Sequence, residues 1–261
     1  MSKKNNLITG SLAMSGVTIY TRKGRQVMRT AASVQPERRT RAQFVLRERI
    51  AHSVTLWQVL KNAGTPVFEG GANAYARFRS LMCRLEPVFL TSEQHAAGAS
   101  LLMPGMPLSE GTLPTVGCRL GMVDGRPALV TDLALSHMSY SIAMQGEHLV
   151  LYALRQSGDG NDVERVEIEP VQLSGDGLLP NAVAVRGADG EPQRVELVCH
   201  EGCLALTGDL FADPTRGWGV VRLCGNKAST QCVLTQCDTY RRYTTEEALQ
   251  RAAESYGGLT E

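Results

Sequence analysis

Between residues 118 and 237 one local pattern recurs: alternating apolar residues, a glycine-bearing turn, and alternation again. The stretch "GCRLGMVDGRPALVTDL" turns at Asp124-Gly125, and "YSIAMQGEHLVLYALRQ" at Gly146. "QRVELVCHEGCLALTGDL" turns at His200-Glu201-Gly202, and "WGVVRLCGNKASTQCVLTQC" at Gly225-Asn226. A period of two buries one strand face, and glycine supplies the positive φ that tight hairpins demand. Four such units confine this part of the chain to antiparallel β-structure.

Two of these segments align with each other. "LSEGTLPTVGCRLGMVDGRP" (108–127) and "LSGDGLLPNAVAVRGADGEP" (173–192) share a Leu-Ser start, a Leu-Pro pair and a closing Asp-Gly-x-Pro. The closing elements lie 65 residues apart and the Leu-Pro pairs 66. Ordered sharing of three elements points to a duplicated unit. A unit of that size cannot cover both faces of its own sheet, so two of them are expected to pack together, sandwich-like or in tandem.

The flanks are helical in pattern. Thr40 and Gln43 fit a capping box, followed by Leu46, Ile50, Val54, Trp57 and Leu60 at spacings of 4, 4, 3 and 3. This stripe predicts a core-facing helix that stops before Gly64-Thr65-Pro66. A second helix is expected over about 72–85 (Tyr75, Phe78, Leu81, Met82, Leu85), ending ahead of Pro87. At the far end Thr244 and Glu247 suit another capping box. Ala248, Leu249, Ala252, Ala253 and Tyr256 form the apolar side of the short helix behind it, which stops at Gly257-Gly258. The expected fold is α+β and mostly β: an N-terminal hairpin and two helices, duplicated antiparallel β units, and a short C-terminal helix. The expected divisions are 1–86 for the basic hairpin plus helices, 87–170 and 171–240 for the two β units, with strands from residue 87 on, and 241–261 for the C-terminal helix.

Net charge is +1, but its distribution is uneven. The first fifty residues carry eleven Lys or Arg against two Glu, a net +9 that leaves −8 for the remainder. Residues 16–29 read as a hairpin, with Val17 and Ile19 alternating against Thr18 and Tyr20 and "RKG" at the turn. Arg22, Lys23, Arg25 and Arg29, followed by Arg38, Arg39 and Arg41, are therefore the candidate binding residues. Such a cluster meets either phosphates or the acidic surface of a neighbouring protein, and charge leaves both open. Tyr20 is the one aromatic near the hairpin, which is poor provision for stacking single-stranded bases.

Other chemistry has less support. Cys199, His200 and Cys203 in "CHEGC", joined by Cys224, Cys232 or Cys237, are weak candidates for a thiolate metal site, because C-x3-C is not the usual knuckle spacing. The acidic "SGDGNDVE" (157–164) lacks the ligand spacing of a calcium loop and reads as a solvated connection. There is no nucleophile elbow, Walker loop or dinucleotide fingerprint. The histidines, His137 and His148 among them, have no neighbouring triad partners in sequence. No cofactor is expected, and no small-molecule ligand is indicated. A non-enzymatic protein is preferred, with a hydrolase of unrecognised site on the β units kept as an alternative.

Seven cysteines without an export signal read as reduced thiols, and no apolar run reaches membrane-spanning length. The start of the chain makes a poor signal peptide, so a cytoplasmic or virion-associated protein is expected.

One stretch carries a family resemblance. Gly16, Tyr20, Lys23, Gly24, Val27 and Arg29, then Thr40, Gln43, Arg47 and Trp57, fit a Gly-x-x-x-Tyr-x-x-Lys-Gly-x-x-Val-x-Arg hairpin followed by a Thr-x-x-Gln capped helix. This resembles the N-terminus of a family from Bacteroidetes and their phages and mobile elements, one with no known activity. "GWGVVRLCGNKASTQCVLT" looks like the C-terminal β-domains of the same proteins. The resemblance implies a structural or assembly role, so self-association through the basic arm is the expected function, with sequence-independent nucleic-acid binding as the alternative.

Overall fold

The computed structural model describes residues 12–14, 17–22, 25–30, 40–64, 67–69, 73–136, 146–158, 163–174, 182–187 and 189–259. By its contacts the chain divides into two compact units, residues 1–40 with 259–261, and residues 41–258.

In the first unit β1 (Leu12–Met14), β2 (Val17–Arg22) and β3 (Arg25–Thr30) form an antiparallel sheet in that order. The expected hairpin is present, with Arg22 paired to Arg25; Lys23 and Gly24 lie outside the described residues. Strand β1 has no sequence signal of its own, because three residues are too few to show alternation.

The second unit is built on two five-stranded sheets. Following chain order, β6 (Cys118–Val123), β7 (Arg126–Ala134), β8 (His148–Ser157), β9 (Arg165–Ser174), β10 (Ala182–Arg186), β11 (Pro192–His200), β12 (Cys203–Thr207), β13 (Arg216–Cys224) and β14 (Lys227–Ala228) supply their strands. One sheet runs β10-β11-β12-β7-β6 and the other β14-β13-β8-β9. The fifth strand of the second sheet, Leu234–Thr235, pairs with the start of β13. The hairpins turn where the sequence demands it. Asp124 and Gly125 have φ of 50° and 76°, and Glu201 and Gly202 have 53° and 79°, the paired left-handed conformations of a two-residue turn. For the hairpin expected at Gly146, the strand before it lies outside the described residues, and β8 pairs instead with β9 and β13.

Each aligned segment contributes to a hairpin, β6–β7 and β10–β11 at opposite ends of one sheet, but Val123 pairs with Arg126 across two residues whereas Arg186 pairs with Pro192 across five. Each sheet draws strands from both halves of the β region. The sheets face each other across a core that includes Leu129, Leu204 and Leu206 on one side and Leu151, Trp218 and Val220 on the other.

The helices are α1 (Arg41–Asn62), α2 (Ala74–Met82), α3 (Ser92–Ala96) and α4 (Glu246–Ser255). The first two cover the far side of the second sheet. Leu56 and Leu60 of α1 and Phe78 and Met82 of α2 pack with Tyr152, Leu154 and Val221 of the sheet. Between helices and sheet runs an extended segment containing Leu101, Leu102 and Met106, all fully buried. It leads into β5 (Pro107–Glu110), which pairs in parallel with β4 (Val67–Phe68).

Three expectations are corrected here. Residues 87–106 open with extended chain and the capped turn α3, not strands; Thr91 and Gln94 form its reciprocal capping box. The C-terminal helix is capped by Thr245, whose hydroxyl accepts from the Ala248 N–H, one residue later than expected. The stripe on α1 is also misplaced. Leu46 and Val54 are 54% and 42% exposed, whereas the buried line runs Phe44, Glu48, His52, Leu56 and Leu60. Two polar residues can occupy that line because neighbouring segments supply their hydrogen bonds, which periodicity cannot register.

Close packing predicts one sensitive glycine. A Cβ at Gly219 in β13 would overlap the Cδ1 of buried Leu108 and crowd Gln231 Cγ at 3.2 Å. Gly219→Ala should cost about 1–3 kcal/mol, read as a lowered denaturation midpoint with unchanged slope in urea.

Candidate functional site

The basic residues singled out in the sequence are divided between the two compact units. Arg22 and Arg25 are cross-strand partners in the N-terminal sheet, and Arg29 lies opposite Thr18. Arg25 is exposed, as is Met28 three positions on. Lys23, Arg38 and Arg39 lie outside the described residues. Arg41 belongs to the other unit. It opens α1 and makes a two-pronged ion pair with Glu246 of α4 at 2.5 Å per contact, which raises its pKa chiefly through that hydrogen bond. The next two arginines are engaged as well: the Arg47 guanidinium lies 4.6 Å from the Tyr256 ring centre, and Arg49 donates to the Cys83 carbonyl at 3.0 Å. By sequence, residues 1–40 carry eight Lys or Arg and one Glu. Residues 41–258 carry nineteen basic and twenty-four acidic side chains.

A second polar group was not anticipated. Glu48 and His52, one turn apart on α1, are 1% and 3% exposed. Glu48 Oε2 lies 2.9 Å from His95 Nε2 of α3 and accepts the Leu90 N–H at 3.2 Å, while Oε1 is buried with no partner among the described residues. His52 Nε2 accepts the Leu101 N–H at 3.1 Å, so the neutral ring carries its proton on Nδ1. Burial, reinforced by His95, lowers the His52 pKa to about 3. Alongside, Gln156 of β8 accepts the Leu102 N–H at 2.7 Å and donates to the Ser100 and Arg165 carbonyls. These contacts satisfy the backbone of the extended segment, which has no ladder of its own. The arrangement fastens chain to chain; it brings no nucleophile beside a base.

The thiol candidates are dispersed by strand pleating. His200 pairs with Cys203, and Cys199 pairs with Leu204, so alternation sets Cys199 and Cys203 on opposite faces of the hairpin. Cys199 is exposed, Cys237 is buried, and among the described residues no three His, Cys, Asp or Glu side chains are placed to hold a metal ion. His200 and Cys203 line a cavity of about 440 Å³ with Asp132 and Arg119, where Asp132 is committed to the Gly117 N–H at 2.8 Å. Burial pushes the nearby Cys118 thiol up to about 12, outweighing the Val220 backbone contact, with Asp132 adding to the rise. Of the triad candidates, His148 lies in β8 opposite Leu223, and His137 is outside the described residues.

At one end of the sandwich a cavity of about 390 Å³ is lined by Arg155, Arg216, Glu167 and Glu169. Its charges are matched: Arg155 bonds Glu167 at 3.0 Å, Arg216 bonds Asp213 at 3.2 Å, and Glu169 accepts the Arg186 N–H at 2.8 Å. Burial works against Asp213, but the Thr215 and Arg216 hydrogen bonds prevail and hold its carboxyl below the ordinary range.

Comparison with protein-family models, curated proteins and solved structures returned no match. Among the described residues, no helix is long and apolar enough to cross a membrane.

Two predictions follow from burial. His52 takes up its proton near 6.5 when unfolded and near 3 when folded, so its contribution is complete above about pH 6.5 and falls as pH drops. The loss amounts to roughly 3 kcal/mol by pH 4, and His52→Gln, which keeps an acceptor for Leu101, should flatten urea-derived stability over that range. Alkylation by iodoacetamide, followed by mass spectrometry of the native protein, should label exposed Cys199 well before Cys118 and buried Cys237.

Proposed function

We propose that the protein is a non-enzymatic assembly protein, whose basic N-terminal hairpin seats on the acidic body of a neighbouring copy. One observation carries this reading: Arg22 faces Arg25 across the hairpin, with Lys23 between them in sequence. Like charges directly opposite each other weaken a sheet unless an anionic surface compensates them. A three-stranded sheet this small also gains from a partner surface. The excess of carboxylates in residues 41–258 provides a complementary charge within the same chain.

The reading is tested in the full chain by reversing the hairpin charges with R22E/K23E/R25E/R29E. Light scattering at about 50 mM salt, where screening is weak, should give an oligomer for the native chain and a smaller species for the variant. An unaltered mass would overturn the arm contact. Binding of DNA or RNA that the four reversals abolish, in a chain that stays monomeric without nucleic acid, would replace it with the phosphate reading.

A further inference from the structure

Among the described residues β6 ends its sheet, laddered on one side to β7 and on the other to no strand, although Leu234–Thr235 of the second sheet lies close to it. Its neighbouring turn fixes which groups face outward. Val123 and Arg126 flank the two-residue turn and so exchange both hydrogen bonds, as do Gly121 and Arg119 with their own partners. By alternation Cys118, Leu120 and Met122 direct their N–H and C=O groups away from β7. Among the described residues, no backbone bond outside the β6–β7 ladder engages any of these three. Met122 is 61% exposed.

The other long edges of the two sheets are defended. β9 has Pro170 within it and the exposed charges Arg165 and Glu167. β10 has its Arg186 N–H occupied by Glu169. Proline, charge and side-chain cover are the usual means of preventing edge pairing. β6 contains no Pro, carries the single charge Arg119, whose backbone groups face β7, and keeps an unbroken register with β7.

We infer that the open edge of β6 pairs antiparallel with β6 of a second copy, joining two five-stranded sheets into one. The outward-facing residues determine the register. Centring on Leu120 places Cys118 opposite the partner's Met122 and Arg119 opposite the partner's Gly121. Three hydrogen-bonded pairs result, about six N–H···O bonds in all. No like charges meet, the one Arg lies across from the residue with no side chain, and Met122 gains an apolar neighbour. The sequence of this edge is thus complementary to itself, which a two-fold contact requires. The inference goes beyond the N-terminal contact and does not depend on it.

The test uses the full chain at about 0.5 M salt, which screens the arm. Sedimentation equilibrium should give a dimer, and amide exchange by NMR should show the Leu120 and Met122 N–H groups protected at high protein concentration and released on dilution. Met122→Lys, which puts a charge on the edge without touching the β7 ladder, should raise the dissociation constant at least tenfold, while Met122→Leu leaves it within about twofold. A monomer at all concentrations would overturn the inference, as would free exchange of both amides in an oligomer. Protected amides in a chain whose mass ignores R22E/K23E/R25E/R29E uphold the edge contact and remove the arm; free amides in an oligomer that those reversals dissolve do the opposite.

Discussion

The body of the protein depends on β8 being buried on both faces. Leu151 and Ala153 face the sandwich core, while Tyr152 and Leu154 face the helices, and none is more than 3% exposed. A strand covered on one face needs only one apolar side; this one serves two cores and is nearly continuous in apolar residues. Its neighbour β13 follows the same rule, with Trp218 and Val220 on one side and Val221 on the other. The sheet they form is the middle layer, so the helices and the opposite sheet are held together through it.

That arrangement creates a problem for the extended segment between α1 and the sheet. It is buried, yet it belongs to no ladder over residues 99–106, and its amides require partners. His52 accepts the Leu101 N–H, Gln156 accepts the Leu102 N–H, and the Glu164 carbonyl accepts the Ser100 N–H at 3.0 Å, while the Ser100 hydroxyl in turn accepts the Val166 N–H of β9 at 2.9 Å. The polar residues inside α1 are therefore a consequence of placing irregular chain under a helix. A buried acceptor with a suppressed pKa arises here from backbone satisfaction, the same physics that elsewhere tunes catalytic groups.

Much of the fold was legible because hairpins are local. Asp124-Gly125, Glu201-Gly202 and Gly225-Asn226 each fix a turn whose conformation is decided by the residues in it. The stop at Gly257-Gly258 is equally local, with φ of 91° and 84°. The α1 stripe was misjudged because an apolar pattern states what a helix could bury, whereas Leu46 and Val54 remain exposed. Of the candidate site, the N-terminal basic cluster was visible as charge, but the withdrawal of Arg41 by Glu246, 205 positions away, was not. The Glu48–His95 contact spans 47 positions and leaves no motif. For the thiols, a turn over His200-Glu201-Gly202 would leave Cys199 and Cys203 flanking it, whereas the observed two-residue turn at Glu201-Gly202 pairs His200 with Cys203 and parts the two thiols.

Sequence alone determined helices α1, α2 and α4, most of the hairpin turns and the charge polarity. These follow from interactions among residues a few positions apart. Tertiary structure decided how the hairpins distribute between sheets, which face of α1 turns inward, and which edges are left open. Each of those outcomes depends on partners distant in the chain. The edge at β6 shows the division: the alternation and turn of "CRLGMVDG" made it a strand, and only its place at the end of the sheet left Leu120 and Met122 with backbone groups to offer.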